Sequence, residues 1–479
     1  MNRQDKWVFG LLSGFAFLYV AIRAYRLSFT HDEAFSFLHI VPEGWLNIIS
    51  YNTASQIPNN HVLNSLLMKV GLSTLGPAEW VMRLPNVLSL VLFIWAIKEL
   101  LSHFRSSAVK WFFMVSLLLN PYFLEFFSLA RGYGLCFAFL MASIALFLRY
   151  FQDSKTKSIV LSTICLTLAI EANFTALYAA FAMFILLGIK AIINIQKARD
   201  GRLFTVITLS GITVLALVYE PLRHISEAET LFGPKVSFFV STVVSLSYLT
   251  VVRGVFAAPF ELLAFVFAGL FLFSLAMGLV VFKKKEQLQR HTFLIISSLL
   301  LLILLPQWIG NWFFDRHLLM SRTGLFMLPI FFLLLSLAFD FAIEMRPQLT
   351  KAVILVFAVF FAINGVSKLN LSYATEWYYD KDIKEAYTIL KKEAHSKNIS
   401  NATLGITWFM EPIFNYYIQN DQNSPFQPVT RNGLVGIYDF YCVFPDDKDL
   451  LLSKNTTSPE EVIRVIKEFP DGSTLAVAK

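Results

Sequence analysis

The sequence predicts an all-α polytopic membrane protein with about eleven transmembrane helices and a small C-terminal α/β soluble domain. Three observations carry this. Hydrophobic residues make up 56% of the chain and charged ones 15%, where an average soluble domain has roughly 25% charged. Basic residues gather in short connections between long apolar runs. After residue 369 the apolar runs give way to alternating strand and helix signals.

The first run, Trp7 to about Leu27, is long enough to cross a bilayer. Arg23, Tyr25 and Arg26 follow it with no small-residue cleavage site, so it reads as a retained signal anchor. Six basic clusters then alternate with apolar runs: Arg3 and Lys6; Lys98 to Lys110; Arg149 to Lys157; Lys190 to Arg202; Lys283 to Arg290; Arg346 and Lys351. Taken as cytoplasmic loops, they mark spans at 7–27, 84–102, 111–128, 132–150, 158–172, 174–194, 204–220, 256–282, 292–310, 323–344 and 351–369. This topology puts the N-terminus in the cytoplasm and residues 370–479 outside. The apolar stretch 236–252 has no flanking basic cluster and is expected as an in-plane or re-entrant helix. The net charge of +7 is thus mostly topology, which argues against a nucleic-acid partner. Of three cysteines, Cys136 and Cys165 lie in apolar runs and Cys442 stands alone in the tail, so no disulfide forms within the tail.

Two domains follow: 1–369 in the membrane with an outer loop at 28–83, and an extracytoplasmic domain at 370–479. In the loop, the amphipathic stretch Val62–Leu75 suits a helix in the lipid interface. In the tail, Asp382–Lys397 has helical spacing, Ala402–Thr407 reads as a strand, Phe409–Ile418 as a helix and Gly436–Phe444 as β-rich. Ser458-Pro459-Glu460-Glu461 is a capping box that starts a helix to about Phe469, and Ser473–Val477 is a final strand.

Candidate chemistry sits at the outer ends of the spans. Asp32 and Glu33 follow the first span, where ionised groups are costly unless used or paired. Neighbours on a helix point about 100° apart, so one acid can act while the other holds a partner. A carboxylate near apolar surface and a second acid has its proton affinity raised, which suits a general base; a solvated capping acid is the plain alternative. His31, His39 and His61 share the loop, but their spacing matches no zinc pattern. Asn60 and His61 suit substrate hydrogen bonds or a structural role. Arg131 and Arg322 open later spans. They either snorkel to the headgroups or clamp a phosphate with forked donors. Arg223 and Lys235 add positive charge, and Gly132 and Gly134 would let the backbone approach a ligand. An acid beside arginines at a lipid boundary suggests attack by an acceptor hydroxyl, with the arginines stabilising a phosphate leaving group.

The Asp32-Glu33 pair, Asn59-Asn60-His61, Arg83-Leu84-Pro85-Asn86, Arg131-Gly132-Tyr133 and Arg322 before an apolar span resemble the integral-membrane glycosyltransferases of the C superfamily (GT-C). The branch is that of protein O-mannosyltransferases and the lipid A aminoarabinose transferase. The resemblance implies a polyprenyl-phosphate-linked sugar donor, an acceptor glycan, lipid or protein, an outward-facing site in a bacterial inner membrane, and inversion at the anomeric carbon. It puts Asp32 at the catalytic-acid position ahead of Glu33, and Tyr133 beside the donor phosphate. No cofactor is certain; a divalent cation is used by some members and stays open. The rival readings are a transporter or flippase of lipid-linked saccharide, which should show paired halves with midplane charge, and a polymerase or ligase with its key residues in one late loop.

Overall fold

The computed structural model describes residues 1–53, 59–198, 201–227, 237–251, 260–281, 287–314, 318–434, 436–449 and 463–478. Among these, nine helices are long and apolar enough to cross a membrane, or ten if a bent pair counts as one span. The chain is an integral membrane protein. The count of about eleven differs for two physical reasons. The expected span 111–128 breaks into Ser107–Leu118 and Pro121–Phe127, bent by 51°. Pro121 has no N–H to continue the first helix, and the Asn120 side chain accepts from Tyr122 N and Phe123 N to start the second. The expected span 158–172 is the helix Thr156–Ala172, only 17 residues long. Its polar face is spent inside the protein: Ser143 Oγ and Ser162 Oγ each donate to the other's carbonyl at 2.8 Å.

Two helices form the interior, Gly132–Asp153 and Met327–Met345, buried over 83% and 89% of their apolar windows. The helices Arg202–Ser226 and Leu262–Val280 are each 17% buried and turn their apolar sides outward. Within 236–252, described at 237–251, Phe239–Val244 is π-helical and Ser245–Val251 α-helical, together too short to span.

One end of the bundle gathers basic-cluster residues. Lys110 pairs with Asp5 at 3.5 Å and Arg105 with Asp340 at 3.2 Å. The other end carries the acid pair and the tail. There Arg23 meets Glu125 at 3.2 Å and donates to Tyr373 O at 2.8 Å.

The tail sheet has strands β1 (Leu404–Ile406), β2 (Phe440–Val443), β3 (Ile463–Glu468) and β4 (Thr474–Ala478), in the order β1-β2-β4-β3. Only β1 and β2 run parallel. The helix Ile383–Ser396 buries Ile383, Ala386, Tyr387, Leu390 and Ala394 against the same core. The expected helix from Ser458 to Phe469 is corrected at its described part, which is strand β3; its capping box lies outside the described residues. Ile463, Val465 and Ile466 are β-branched, and Pro470-Asp471-Gly472 turns the strand back onto β4. The tail does not stand apart from the outer loop. Phe29 and Phe37 lie 4.4 and 5.0 Å from the Tyr416 ring, and Met68 and Met82 join the same core.

Candidate active site

The helix His31–His39 starts at Thr30, whose Oγ1 accepts from Glu33 N at 3.3 Å while Glu33 Oε2 accepts from Thr30 N at 2.9 Å. This box fixes which acid faces which way. Glu33 is 0% exposed. Arg83 donates to it twice, Nε at 2.8 Å and Nη2 at 2.7 Å, and Ala130 N donates at 2.6 Å. Burial alone would raise the Glu33 carboxyl, but Arg83 holds it below its ordinary value. Arg83 also donates to Ala24 O, Leu27 O and Ser28 O, closing the C-terminal end of the first span. Glu33, expected beside Asp32 as a catalytic acid, therefore does not line the cavity: its oxygens are committed to the fold.

About 100° round the helix, Asp32 faces a cavity of about 900 Å³. Its Oδ2 lies 3.1 Å from Arg131 Nη2 and 3.5 Å from Arg322 Nη2. Burial pushes the Asp32 carboxyl up, and the two guanidiniums outweigh it and hold the group below its usual range. Arg131 is 2% exposed, with Nε and Nη1 buried and without a hydrogen-bond partner. It is set in place from its neighbour, since Ala130 N is held by Glu33. Tyr133 lines the same cavity, its ring 5.0 Å from His61.

His61 Nδ1 lies 2.9 Å from Ala172 O. A carbonyl only accepts, so Nδ1 carries the proton. Burial, reinforced by Arg131, pushes the imidazole down to about 3, so it stays neutral. Asn60 lines the cavity but spends its amide on the fold, with Nδ2 to Ile48 O and Oδ1 from Ser65 Oγ, both at 2.9 Å. Arg223 lies away from Asp32, paired with Glu220 at 3.3 Å on an exposed face. Leu222 and Ile225 of its helix line the cavity instead. Lys235 lies outside the described residues.

Gly132 and Gly134 do not bring backbone to a ligand. A Cβ on Gly132 would run into Ala172 O and the His61 ring, and one on Gly134 into Phe126 O at 2.8 Å. They permit close packing of the Gly132–Asp153 helix on the elements that carry His61 and Asn86.

Among the described residues that line the cavity, Asp32 is the one acid, against Arg131, Arg322 and Arg431. The lining also includes the apolar side chains of Phe174, Leu177, Phe181, Leu222, Ile225 and Leu318. Among the described residues, no three His, Cys, Asp or Glu side chains stand together as a metal site. His31 Nδ1 lies 2.5 Å from Phe409 O and His61 faces Ala172, so neither completes a zinc site with Asp32. A lone carboxylate between two guanidiniums does not fit a divalent cation.

Sequence reading missed the residues that the tail and its linker contribute. Arg431 reaches the cavity while Nε holds Glu411 at 3.0 Å and its guanidinium covers the Phe35 ring at 5.5 Å. Glu376 meets Arg322 at 3.3 Å. Asp380 accepts from His31 N at 2.6 Å, and burial pushes its carboxyl well above the ordinary range. No local pattern marks any of these.

Compared by sequence, the chain matches no protein-family model and no curated protein. Compared by structure, it is similar to ArnT from Cupriavidus metallidurans in the apo state, with a TM-score of 0.54 and 11% identity over 100% of this chain and 98% of that one. It is equally similar to ArnT from that organism bound to undecaprenyl phosphate, with a TM-score of 0.54 and 12% identity over 99% and 98%. At this identity the likeness shows a shared fold over nearly the whole of both chains.

Proposed function

We propose that the chain is a membrane glycosyltransferase that moves a sugar from a polyprenyl-phosphate donor to an acceptor hydroxyl, with inversion. The observation that carries this is Asp32 Oδ2, within 3.1 and 3.5 Å of two arginines, in a cavity lined also by apolar side chains. A phosphate that arrives on a lipid needs both kinds of lining. The structural neighbour solved with undecaprenyl phosphate supports that ligand class.

In this reading the donor phosphate lies on Arg131 and Arg322 and the lipid runs along the apolar side chains. Arg131 Nε and Nη1, buried and without protein partners, are donors ready for it. The acceptor oxygen bonds to the anomeric carbon as the carbon–oxygen bond to phosphate breaks. Its proton passes to Asp32, and the polyprenyl phosphate leaves with the bonding pair. Before donor binds, the arginines hold Asp32 ionised and weakly basic. An incoming phosphate shares those cations and adds negative charge nearby, so it raises Asp32's proton affinity when a base is required. His61 is neutral and Nδ1-protonated, which leaves Nε2 as an acceptor for a hydroxyl.

The cavity opens at the end opposite the basic clusters, and the positive-inside rule assigns that end to the outside. The N-terminus is then cytoplasmic and residues 370–479 form the extracytoplasmic domain, in a bacterial inner membrane.

The test is incubation of membranes with labelled polyprenyl-phosphate sugars, following the label into acceptor. Asp32→Asn should abolish transfer while protein level and undecaprenyl phosphate binding persist. Near-parental transfer by that variant removes Asp32 from the reaction.

A further inference from the structure

Residues 373–381, which lead from the last span into the tail, pack against lining residues of the site, Arg322 and His31. Their backbone is pinned at both ends. Tyr373 O accepts from Arg23 at 2.8 Å, Thr375 N and Oγ1 donate to Glu125 at 2.9 and 2.6 Å, and Lys381 O accepts from Ser28 Oγ at 3.0 Å. Between the pins, Glu376 and Trp377 face Arg322. Glu376 Oε2 lies 3.3 Å from Arg322 Nη1, and its Oε1 accepts from Ser321 Oγ at 3.4 Å. The Trp377 ring centre is 5.0 Å from the guanidinium carbon. Arg322 is thus divided: Nη2 points at Asp32 at 3.5 Å and Nη1 at Glu376.

The local charges balance. Asp32 and Glu376 supply two negative charges, and Arg131 and Arg322 two positive ones. A phosphate that joins this cluster has to take a cation from a carboxylate already holding it. Asp32 is shared by both arginines. Glu376 holds Arg322 alone, and burial, with Glu125 and Asp32 nearby, raises its carboxyl despite that arginine, so its charge is poorly supported where it stands. Glu376 is the weaker partner and the one to be displaced. Trp377 grips the face of the guanidinium, not its edge, and leaves the N–H groups free to change partner.

We infer that Glu376 is a positioning residue that occupies Arg322 until the lipid phosphate replaces it, with Trp377 holding the guanidinium plane through the exchange. The inference rests on the site reading proposed above and deepens it. Glu376 competes with phosphate for Arg322, and so it sets how tightly the carrier lipid is held before and after reaction. A residue that only supported the fold would, when changed, weaken binding. A competitor, when neutralised, tightens it.

The experiment titrates undecaprenyl phosphate against the purified full-length protein in nanodiscs, with melting temperature recorded for each variant. Glu376→Gln should lower the Kd about three- to fivefold, the upper part of the range for a partly exposed ion pair released from competition. Glu376→Asp, which keeps the charge, should stay within about twofold of the parent. Ser321→Ala removes the second tether of Glu376 and should tighten binding in the same direction by less. It carries the test if Glu376→Gln lowers the melting temperature. An unchanged or raised Kd in a variant that melts like the parent overturns the exchange. Arg322→Ala separates the two levels. If it binds as the parent does, or if the parent does not bind, the site reading fails and the inference with it. If Arg322→Ala loses affinity while Glu376→Gln changes nothing, only the role of Glu376 fails.

Discussion

Asp32 and Glu33 are neighbours in sequence with opposite surroundings, so removing each carboxylate should fail in a different way. Glu33→Ala deletes a group that is 0% exposed and accepts from Arg83 Nε, Arg83 Nη2, Thr30 N and Ala130 N at 2.6–2.9 Å. It leaves Arg83, also 0% exposed, as a buried cation whose remaining partners are the carbonyls of Ala24, Leu27 and Ser28. Breaking one side of such a pair costs about 3–5 kcal/mol, a large part of a stability margin of about 5–15 kcal/mol. The Thr30 cap persists, because it accepts from the backbone N of residue 33, and only the reciprocal bond from Thr30 N is lost. Glu33→Ala should therefore melt far below the parent, measured by thermal unfolding in detergent and by recovery of monodisperse protein. Removing both charges, Glu33→Ala with Arg83→Met, should recover part of the loss, because an apolar pair leaves no buried charge. Asp32→Asn should melt closer to the parent than Glu33→Ala, since the Asp32 side chain is 16% exposed at the cavity and Arg322 keeps Glu376 as a partner. A Glu33→Ala protein as stable as the parent, or a double variant no better than the single one, would refute the claim that the pair holds the site together.

Arg322→Ala should weaken undecaprenyl phosphate binding by about 1.5–3 kcal/mol, the worth of a charged hydrogen bond, roughly a tenfold to hundredfold rise in Kd by titration. Gly132→Ala should sharply lower yield and transfer, because its Cβ meets Ala172 O and the His61 ring; Gly188→Ala, with open space around it, should be tolerated. The His61 imidazole stands near 3 in the fold against about 6.5 in an unfolded chain. Between those values the unfolded chain binds a proton that the fold refuses, so this contribution is full above about 6.5 and is lost as pH falls. His61→Gln, which keeps a donor for Ala172 O, should flatten the acid side of the melting-temperature profile; an unchanged profile would refute the assignment.

Asp32, Arg131 and Arg322 are expected at the outer ends of spans and His61 in the loop that joins two of them, and residues at one end of a bundle have few places to go but together. That Glu33 turns inward follows from Arg83, and Arg83 had a visible cue: an arginine at the start of an apolar run needs a partner. Strand β3 was obscured because a Ser-x-x-Glu box and a β-branched run compete locally, and pairing with β4 decides between them. The contacts of Asp380 and Phe409 with His31 join positions 349 and 378 apart. No window of neighbouring residues contains such information, so Arg431, Glu376 and Asp380 surfaced only in three dimensions.

The grip of Asp380 and Phe409 on His31 also gives the protein a birth order. The loop bearing Asp32 emerges from the ribosome early, yet its helix gains these anchors only after residues 380 and 409 have been made and folded against it. A half-synthesised or truncated chain then has Asp32 without the frame that aims it. Completion of the polypeptide acts as the safety catch.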